Sequence, residues 1–398
     1  CWHFCCSSLV EPRTPQYPLF DLTSLISVWS DQECIDLTQL INLLSWQAGN
    51  SGFGSYVQRV MPGIPGVRLQ LDAQGSACLI PAERWSLQAP PLPPGLLMRF
   101  LQRNAMVQHG QPLRLLLHRA DIKPDVIYSP FFDALLGFSK VPQLITCHDL
   151  TPLSHPNSRR AWLKYRFWQP RHLACASQLV AISQHVADQL IAIGVSPDRI
   201  AIVPNGVAVS RAPVMAPASH DLLVIARHDA NKNLRGLVSA LAGTQRLLPY
   251  WRGLVRIVGR GAAASAELQT LRRALPRPEA LVFIDRLSVD DISAMIRGSL
   301  ALVSASLEEG FDYPVLEAKA EGIPTLLSDI PVHREFHDAS SLFFPADDDG
   351  GVLADHISHL IADKLLWRQL SLSGLDLARS LSVERQQSQI LALLNELP

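Results

Sequence analysis

Residues 306–318 read SLEEGFDYPVLEA and come shortly after the apolar run Leu300–Val303. An apolar run of this length, followed by a loop, is typical of a buried parallel strand that leads into a helix. Pro314 suits the first turn of that helix, where its missing N–H needs no partner, and Gly322 marks the helix end. The segment therefore predicts one β-α unit of a parallel α/β sheet.

The first turn of this predicted helix is a candidate anion site. The backbone amides of Val315 and Leu316 lie where helical acceptors are lacking and the helix dipole is positive, which suits a diphosphate. Glu309 precedes the helix and Glu317 lies eight positions later, so two carboxylates flank the amides. Carboxylates beside a phosphate site are suited to accept hydrogen bonds from hydroxyl groups. We therefore expect a ligand that carries both phosphate and hydroxyl groups.

Apolar runs alternate with longer helical stretches along most of the chain, which is the signature of parallel α/β architecture. The strands expected in the first half are Glu33–Leu40, Val67–Leu71, Leu113–Leu117, Val126–Tyr128, Gln143–His148, Leu179–Ser183 and Ile200–Val203. Those expected in the second half are Asp221–Ala226, Leu254–Val258, Ala280–Ile284, Leu300–Val303, Pro324–Ser328 and Ser341–Phe344. Two Rossmann-like, doubly wound domains follow, with a cleft between the carboxyl ends of their strands.

The domain division rests on composition. Pro204-Asn205-Gly206 and the Pro/Ala/Ser-rich stretch to Ser219 separate the two series of strands like an interdomain linker. We expect a variable extension at 1–32, a first domain at 33–205 and a second domain at 206–382. Residues 383–398 are expected to form a helix that packs back on the first domain. At roughly 100–200 residues per domain, 398 residues agree with two domains.

Charge and composition exclude several classes of protein. Lys and Arg number 35 against 36 Asp and Glu, so no nucleic-acid partner is expected. A hydrophobic fraction of 48% excludes a disordered chain. Residues 1–10 lack the pattern of a secretory signal and the seven cysteines lack a C-x-x-C pair, so we expect a cytoplasmic protein. Cations and aromatics in 157–168 suit either a solvated basic helix face, which we favour, or peripheral contact with the inner membrane.

A second cationic signal stands at the start of the second domain. Arg227 and Lys232 follow the strand Asp221–Ala226 within one loop. Two cations in a βα loop are suited to phosphate oxygens, although solvated surface cations are the other reading of this pair. Their expected proximity to the Glu309 segment favours the phosphate site.

These residues carry a family resemblance. The segment from Glu309 to Glu317 resembles the E-x7-E motif, E-G-F-G-x-P-x-x-E, of retaining glycosyltransferases of the GT-B fold, close to family 4. Further matching segments are NSGFGSY (50–56), TCHDL (146–150), VPNGV (203–207), IVG (257–259) and SDIP (328–331). The resemblance covers about residues 33–398. Asp312 stands where the family often has Gly, and residues 283–286 differ near the family's base pocket, so the nucleobase is not implied.

The resemblance implies roles for individual residues. Glu317 would hold the donor's ribose hydroxyls, Glu309 the transferred sugar, and His148 would face that sugar from the first domain. The implied catalytic residues are Glu309, His148, Arg227 and Lys232. The implied donor-binding residues are Gly52, Gly259, Gly310, Phe311, Val315, Leu316 and Glu317. Without the family resemblance, the simpler interpretation is that His148 stands at a strand end and forms its hydrogen bonds with nearby backbone groups.

The implied reaction is transfer of a hexose from a nucleoside diphosphate sugar, with retention, to a glycan or lipid-linked acceptor in cell-surface polysaccharide synthesis. The segment His148–Leu153 resembles mannosyltransferase-like members and favours a mannose-type donor. No metal is expected, because Arg227 and Lys232 supply the positive charge and the acidic run Asp347–Asp349 suits a solvated loop. No other cofactor is expected.

Two other functions compete with this one. Residues 258–264 read VGRGAAA and match G-x-G-x-x-A after a strand, and Asp285 stands near the end of the next strand, as in NAD-dependent oxidoreductases. That reading leaves the spacing of Glu309 and Glu317 unexplained. A non-catalytic sugar-nucleotide-binding protein is the third reading, and the presence of both carboxylates argues against it.

Overall fold

The structure, a computed structural model, describes residues 38–46, 52–72, 76–88, 110–156, 158–209, 211–261 and 265–397. They form two α/β domains, each built on one sheet. The predicted extension at residues 1–32 lies outside the described residues.

The first sheet has seven strands in the order β3-β2-β1-β4-β5-β6-β7. All neighbouring pairs are parallel except β2 and β3, which are antiparallel. The strands are β1 (Gln39–Asn42), β2 (Val67–Leu71), β3 (Ala77–Pro81), β4 (Val126–Ser129), β5 (Gln143–Cys147), β6 (Gln178–Ala181) and β7 (Ile200–Ile202). Side chains of β1, β4 and β5 are buried at every position, as expected for central parallel strands.

The second sheet has six parallel strands in the order β10-β9-β8-β11-β12-β13. The strands are β8 (Leu222–Ile225), β9 (Val255–Val258), β10 (Leu281–Ile284), β11 (Ala301–Ser304), β12 (Thr325–Ser328) and β13 (Ser341–Phe344). The order matches the doubly wound arrangement, whose ligands bind where the strand order reverses. That point lies between β8 and β11, which pair at Leu222 with Ala301.

Helices cover the faces of both sheets. The first-domain helices are α1 (Gly52–Val60), α2 (Gln111–Arg119), α3 (Thr151–Ser154), α4 (Arg159–Leu163), α5 (Gln169–Cys175) and α6 (Gln184–Ala192), with a π-helical stretch at Lys164–Trp168. The remaining helices are α7 (Leu234–Leu247), α8 (Ala266–Arg273), α9 (Val289–Arg297), α10 (Tyr313–Ala320), α11 (Pro331–His337), α12 (Gly351–Ala362), α13 (Lys364–Ser380) and α14 (Val383–Glu396).

One predicted strand is wrong. Leu113–Leu117 belongs to helix α2, which Pro112 opens. Leu113 and Leu117 are buried and lie four positions apart, on one helical face, while Leu115 is 57% exposed. The burial of every fourth residue therefore fits a helix, and the short apolar run is not a strand. Strand β3 was not predicted, and β1 shares only Gln39 and Leu40 with the expected Glu33–Leu40, of which 33–37 lie outside the described residues.

The end of the chain returns to the first domain. Residues from α14, among them Ile390 and Leu394, belong to the hydrophobic cluster of the first domain. Val207, just after the first domain's last strand, pairs with Ser382 just before α14. The Nε2 of Gln387 donates to the carbonyls of Arg59 and Val60 at the end of α1, at 3.0 and 3.2 Å. Within the described residues, no helix is both long and apolar enough to span a membrane.

Candidate functional site

The loops that follow β8 and β11 meet at the point where the strand order reverses. The Nζ of Lys232, after β8, lies 2.6 Å from Oε1 of Glu309 and 3.6 Å from Oδ1 of Asp312, both after β11. Asn231 fastens the two loops, because its carbonyl accepts from the amide of Leu307 at 2.7 Å and its Nδ2 donates to the Glu308 carbonyl at 3.0 Å. The fold thus brings Lys232 and Glu309 together, 77 positions apart in the sequence.

Burial and opposite charges act together on this group. Burial opposes the charge of Lys232, but the carboxylates of Asp312 and Glu309 outweigh it and raise the lysine pKa. Burial raises the pKa of Glu309, and the Lys232 ammonium only partly offsets that effect. The pKa of Asp312 shifts in the opposite direction. Burial would raise it, but Lys232 and then His333 outweigh burial and lower the pKa. Lys232 therefore carries its positive charge throughout the neutral range.

Asp312 has the backbone conformation that explains the family's usual glycine. Its φ is 68° and its ψ 70°, in the left-handed region that Gly, Asn and Asp tolerate. Its Oδ2 accepts from the Ser304 hydroxyl at 2.5 Å and faces Nε2 of His333 at 3.2 Å. The departure from glycine at this position therefore places a buried carboxylate beside Lys232, in a backbone conformation that Asp tolerates.

Arg227 lies at the rim of the same site. Its side chain is 59% exposed and pairs with Asp229 at 2.9 Å. Its charge acts on Lys232, where it lowers the lysine pKa against the effect of the carboxylates. The structure therefore brings the two cations close together, one buried and one facing solvent.

Glu317 pairs with a cation from the other domain. Its Oε1 accepts from Nη2 of Arg59, at the end of α1, and the Arg59 guanidinium lies over the ring of Tyr313 at 4.6 Å. Sequence reasoning missed Arg59. A signal was present, since Arg59 lies seven positions, or two helical turns, after Gly52 and shares its helical face.

His148 and Asp149 follow β5 and approach the site from the first domain. The Nε2 of His148 donates to the Pro130 carbonyl at 2.8 Å, and its ring lies 4.7 Å from that of Tyr56. Burial lowers the pKa of His148 to about 4, so the ring is neutral near pH 7. Burial and then the Glu309 carboxylate raise the pKa of Asp149 to about 6.

Gly310 lies where the backbones of the two domains come close together. A Cβ on Gly310 would lie 1.8 Å from the carbonyl oxygen of His148, so only glycine fits there. Phe311 is buried beside this contact, with its ring 4.9 Å from that of Phe336. The glycine-to-histidine contact therefore brings Glu309 and His148 to one place between the domains.

The other predicted site residues lie around this centre. Val315 and Leu316, in the first turn of α10, have fully buried side chains, and the Val315 amide donates to the Asp312 carbonyl at 3.1 Å. Gly52 is exposed and opens α1, while residues 47–51 lie outside the described residues. Gly259 follows β9 and donates its amide to the Ile284 carbonyl at 2.9 Å.

Two competing motifs also have a place in the structure. Asp285 is exposed after β10, and residues 262–264 of the glycine pattern lie outside the described residues. The acidic run before α12 caps that helix, because Asp348 accepts from the amides of Val352 and Leu353 at 3.2 and 3.0 Å. In the part of the chain that the structure describes, no three His, Cys, Asp or Glu side chains are grouped as metal ligands.

Glu308 links the site to the first domain. Its carboxylate accepts from the Ser154 hydroxyl, from Nε2 of Gln189 at 2.6 Å, and lies 2.8 Å from Nδ1 of His155. Burial opposes the charge of Glu308, but these hydrogen bonds outweigh it and lower its pKa. Sequence reasoning missed Glu308, although the doubled glutamate beside Glu309 was visible.

Comparison with known protein families gives two matches. The family described as Glycosyltransferase Family 4 matches residues 70–211, and the one described as Glycosyl transferases group 1 matches residues 219–363. The two matches fall on the two domains and meet near the linker.

Curated relatives match over part of their length. The O-antigen chain mannosyltransferase RfbU of Salmonella typhimurium is 24% identical over 208 residues, which is 52% of this chain and 58% of the relative. The lipopolysaccharide 1,6-galactosyltransferase of the same organism is 25% identical over 209 residues, or 47% of this chain and 56% of the relative. The chain thus spans little more than half the length of these relatives.

Solved structures match over nearly the whole chain. Anabaena HepE, in complex with UDP and glucose, has a TM-score of 0.65 at 16% identity, covering 91% of this chain and 100% of that one. The sucrose-phosphate synthase of Thermosynechococcus elongatus has a TM-score of 0.65 at 17% identity, covering 90% and 98%. At these identities the likeness concerns the fold, which is GT-B with two Rossmann-like domains.

Proposed function

We propose, from the premise that this chain belongs to the group 1 glycosyltransferases related to family 4, that it transfers a hexose from a nucleoside diphosphate sugar. The observation that carries the proposal is the buried pair of Lys232 and Glu309 at the switch point between β8 and β11. A fixed cation suits the diphosphate there, and a carboxylate beside it suits the sugar hydroxyls.

In this proposal the residues divide the developing charge between them. As the bond from sugar to phosphate breaks, negative charge grows on the diphosphate and positive charge on the sugar ring. Lys232 and Arg227 stabilise the diphosphate, because their charges are in place before the reaction. Glu309 holds the sugar by its hydroxyls. The acceptor oxygen bonds to the anomeric carbon on the face that the diphosphate leaves, and its proton passes to the departing phosphate oxygen. The product therefore retains the configuration of the donor.

His148 contributes from the first domain as a neutral ring. Its Nε2–H donates to the Pro130 carbonyl, so Nδ1 of the neutral ring is an acceptor. A pKa of about 4 keeps it so in the neutral range. We therefore assign to His148 a hydrogen bond accepted from a sugar hydroxyl, rather than transfer of a proton.

The donor and acceptor are proposed by chemistry and relationship. The relatives' names include a mannosyltransferase of O-antigen chains and a galactosyltransferase of lipopolysaccharide, so a mannose donor is the first candidate and galactose the second. The acceptor would be a glycan or lipid-linked glycan in cell-surface polysaccharide synthesis. No metal is needed, since Lys232 and Arg227 meet the diphosphate. Transfer that persists in excess EDTA would support this, and loss restored by Mn²⁺ would contradict it.

Peripheral contact with a membrane is a further part of the proposal. Between Trp162 and Trp168, four large apolar side chains are 37–58% exposed: Trp162, Leu163, Phe167 and Trp168. Arg166 and Arg171 stack on Phe167 and Trp168, at 5.6 and 5.2 Å. Exposed aromatics beside cations suit an anionic lipid surface. Flotation with vesicles that contain phosphatidylglycerol, but not with phosphatidylcholine alone, is the expected result; equal flotation or none would contradict this contact.

The donor is tested by thermal shift with UDP-, GDP-, ADP- and dTDP-hexoses and with NAD(H). Stabilisation by one nucleotide sugar, followed by its transfer in a product assay, would support the proposal. Stabilisation by NAD(H) alone would instead favour the oxidoreductase. Binding of a nucleotide sugar with no transfer to any glycan or lipid-linked acceptor would favour the non-catalytic binder.

Site variants test the roles assigned here. Glu317→Ala and Arg227→Ala should weaken nucleotide binding, whereas Glu309→Ala should lower turnover by about 10²-fold or more. Glu279→Ala, on the exposed surface of the same domain, is the matched control. Donor affinity and turnover equal to wild type in all three site variants would overturn the assignment.

A further inference from the structure

We propose that Asp312 and His333 are positioning residues that hold Lys232 in place when Glu309 turns to the donor sugar. The proposal rests on the proposed function and deepens it. It assigns a task to the carboxylate that this chain has where related chains often have glycine, and to a histidine on α11 that sequence reasoning did not single out.

Lys232 has two carboxylate partners with different tasks. Glu309 lies closer, at 2.6 Å, and is the group proposed to accept hydrogen bonds from the sugar. When it does so, its bond to Lys232 weakens. A buried ammonium without a carboxylate is costly, so a second anion is needed to keep Lys232 charged and in place. Asp312, at 3.6 Å and with its side chain 2% exposed, is that anion.

Asp312 is fixed by contacts that do not involve substrate. Its Oδ2 accepts from Ser304 at 2.5 Å and faces Nε2 of His333 at 3.2 Å, which leaves Oδ1 toward Lys232. The bond from Ser304 ties the Asp312 side chain to the end of β11. The Asp312 carboxylate is therefore held by the protein on the side away from Lys232, whereas the Oε1 of Glu309 that pairs with Lys232 has a longer contact besides, with Nδ2 of Asn231 at 3.3 Å.

His333 is fixed in turn by β12. Its Nδ1 lies 2.8 Å from the carbonyl of Ser328, and a carbonyl only accepts, so Nδ1–H donates. The ring is fully buried, and its other nitrogen faces the Asp312 carboxylate. Its two ring nitrogens thus face two oxygens, one from the backbone at the end of β12 and one from Asp312. The end of β12 thus fixes His333, His333 fixes Asp312, and Asp312 fixes Lys232 beside the proposed diphosphate site.

The site allows variants that keep the backbone. Asn and Gly both tolerate the left-handed conformation of residue 312, so Asp312→Asn and Asp312→Gly remove the charge without backbone strain. Asn also retains an acceptor for Ser304. His333→Gln retains an amide donor toward Asp312 and removes the ring. Asp329→Asn, an exposed carboxylate before α11, is the matched control for loss of one charge.

The expected result is a split between turnover and nucleotide affinity. In Asp312→Asn, Glu309 stays bound to Lys232 as its one remaining carboxylate, so we expect kcat to fall about 10-fold or more. Affinity for the nucleoside diphosphate should change less than about 3-fold, because Lys232 still meets the phosphates. Asp312→Gly should behave alike, His333→Gln should give a smaller loss of kcat, and Asp329→Asn should match wild type. Unchanged kcat in both Asp312 variants, or equal loss of kcat and nucleotide affinity, would overturn the proposal.

A second measurement separates this proposal from the proposed function. Failure of the wild type to transfer any hexose would overturn the function. The support of Lys232 by Asp312 is then judged by a double-mutant cycle of thermal midpoints with Lys232→Met and Asp312→Asn. A double variant shifted less than the sum of the single shifts supports the pairing, and additive shifts contradict it.

Discussion

Lys319 is a buried lysine whose amine is held by uncharged oxygens. Its Nζ donates to the carbonyl of Ser340 at 2.6 Å and lies 2.8 and 2.9 Å from the hydroxyls of Ser340 and Ser341. Its residue is 1% exposed. Because these oxygens carry no full charge, burial lowers the pKa of Lys319 to about 7. The native state therefore favours the neutral amine, while the unfolded chain has an ordinary lysine.

We expect Lys319→Met to stabilise the protein near and below neutral pH. The folded pKa lies below the unfolded value, so the wild type loses stability as the pH falls from about 10 to about 7 and stays low below that. The Met variant lacks this loss. Its free energy of unfolding should exceed that of the wild type by about 1–3 kcal/mol at pH 6, with a smaller difference at pH 9.

Urea unfolding at the two pH values measures this difference. Lys364→Met, at an exposed position that opens α13, is the control and should show no such pH dependence. A Lys319→Met variant that is less stable than the wild type at pH 6 would contradict the expectation.

We expect the Asp149 carboxyl to make stability depend on pH with a sign opposite to that from Lys319. Burial and the nearby Glu309 raise its folded pKa to about 6, above the unfolded value. Its native state thus binds an extra proton, and stability from this group falls as the pH rises from about 4 to 6. Asp149→Asn removes the charge, so we expect it to stabilise the protein by about 1–2 kcal/mol at pH 7.5 and much less at pH 4. Unfolding at both pH values, with exposed Asp198→Asn as control, checks this.

Single residues differ in how far the sequence predicts them. The proximity of Glu309 and Lys232 was predicted from their motifs, because each follows a strand at the end where a doubly wound sheet binds ligands, and the structure brings them together. Arg59 and His333 were not predicted, because their roles come from partners 258 and 21 positions away. Asp312 was visible as a departure from glycine, but its pairing with Lys232 needed the fold.

Among the elements, α10 is unusual because it is buried on two sides. Val315 and Ala318 belong to the hydrophobic core of the second domain, whereas Tyr313 and Leu316 belong to the cluster of the first. A helix buried on both sides shows no polar face, so its pattern does not reveal which domain it joins. The helix was predicted from Pro314 and Gly322, and its contacts with the first domain were not.

The success or failure of each predicted element follows from the length and pattern of its apolar run. Helix α2 was predicted as a strand because Leu113–Leu117 is rich in leucine, and a five-residue run does not separate the two periods. The strands of the second domain were predicted to within one residue at each end, because each is short and bounded by loop residues. Ser341–Phe344 has the predicted bounds.

Gly206, in the linker, packs directly against the backbone at the start of α14. A Cβ on Gly206 would lie 2.3 Å from the carbonyl oxygen of Ser382 and 2.6 Å from the amide nitrogen of Val383. Neither backbone atom can yield without moving the start of α14. We therefore expect Gly206→Ala to lower the free energy of unfolding by about 2–4 kcal/mol.

The matched control is Gly298→Ala. It stands at the end of α9, where the nearest atom to a new Cβ is a carbonyl oxygen at 3.3 Å. Chemical denaturation compares the two. A loss in Gly206→Ala no greater than that in the control would contradict a tight joint.

At the scale of the whole molecule, three carboxylates make polar contacts between the domains, in addition to the apolar contacts of α10 with the first domain. Glu308 bonds Ser154, His155 and Gln189, and Glu317 bonds Arg59. The Glu335 carboxylate, on α11, accepts from the first two amides of α6 at 2.7 and 3.1 Å. All three carboxylates come from the second domain. Acidic side chains of the second domain therefore contribute to closure between the domains, together with the apolar contacts of α10.

We expect the double variant Glu308→Ala and Glu335→Ala to open the cleft. Partly buried hydrogen bonds to a charged group, such as those of Glu308, contribute about 1.5–3 kcal/mol each, and the exposed ones of Glu335 contribute less. Their combined loss shifts the balance toward separated domains. The radius of gyration in small-angle X-ray scattering should increase, and the KM for the donor should rise about 3–10-fold, since closure assembles the site. Glu279→Ala with Glu384→Ala, two exposed carboxylates, is the control.

Acid should open the wild type in the same way. The folded pKa of Glu308 is lowered, so the closing contribution of Glu308 is present above its ordinary unfolded pKa of about 4.3 and is lost as the pH falls through the folded value. The wild type should therefore show an increase in radius of gyration at acidic pH before it unfolds. The double variant is already open at neutral pH, so its radius of gyration should not increase further at acidic pH. A double variant as compact as the wild type at pH 7.5, or an acid transition of equal size in both, would contradict closure by these carboxylates.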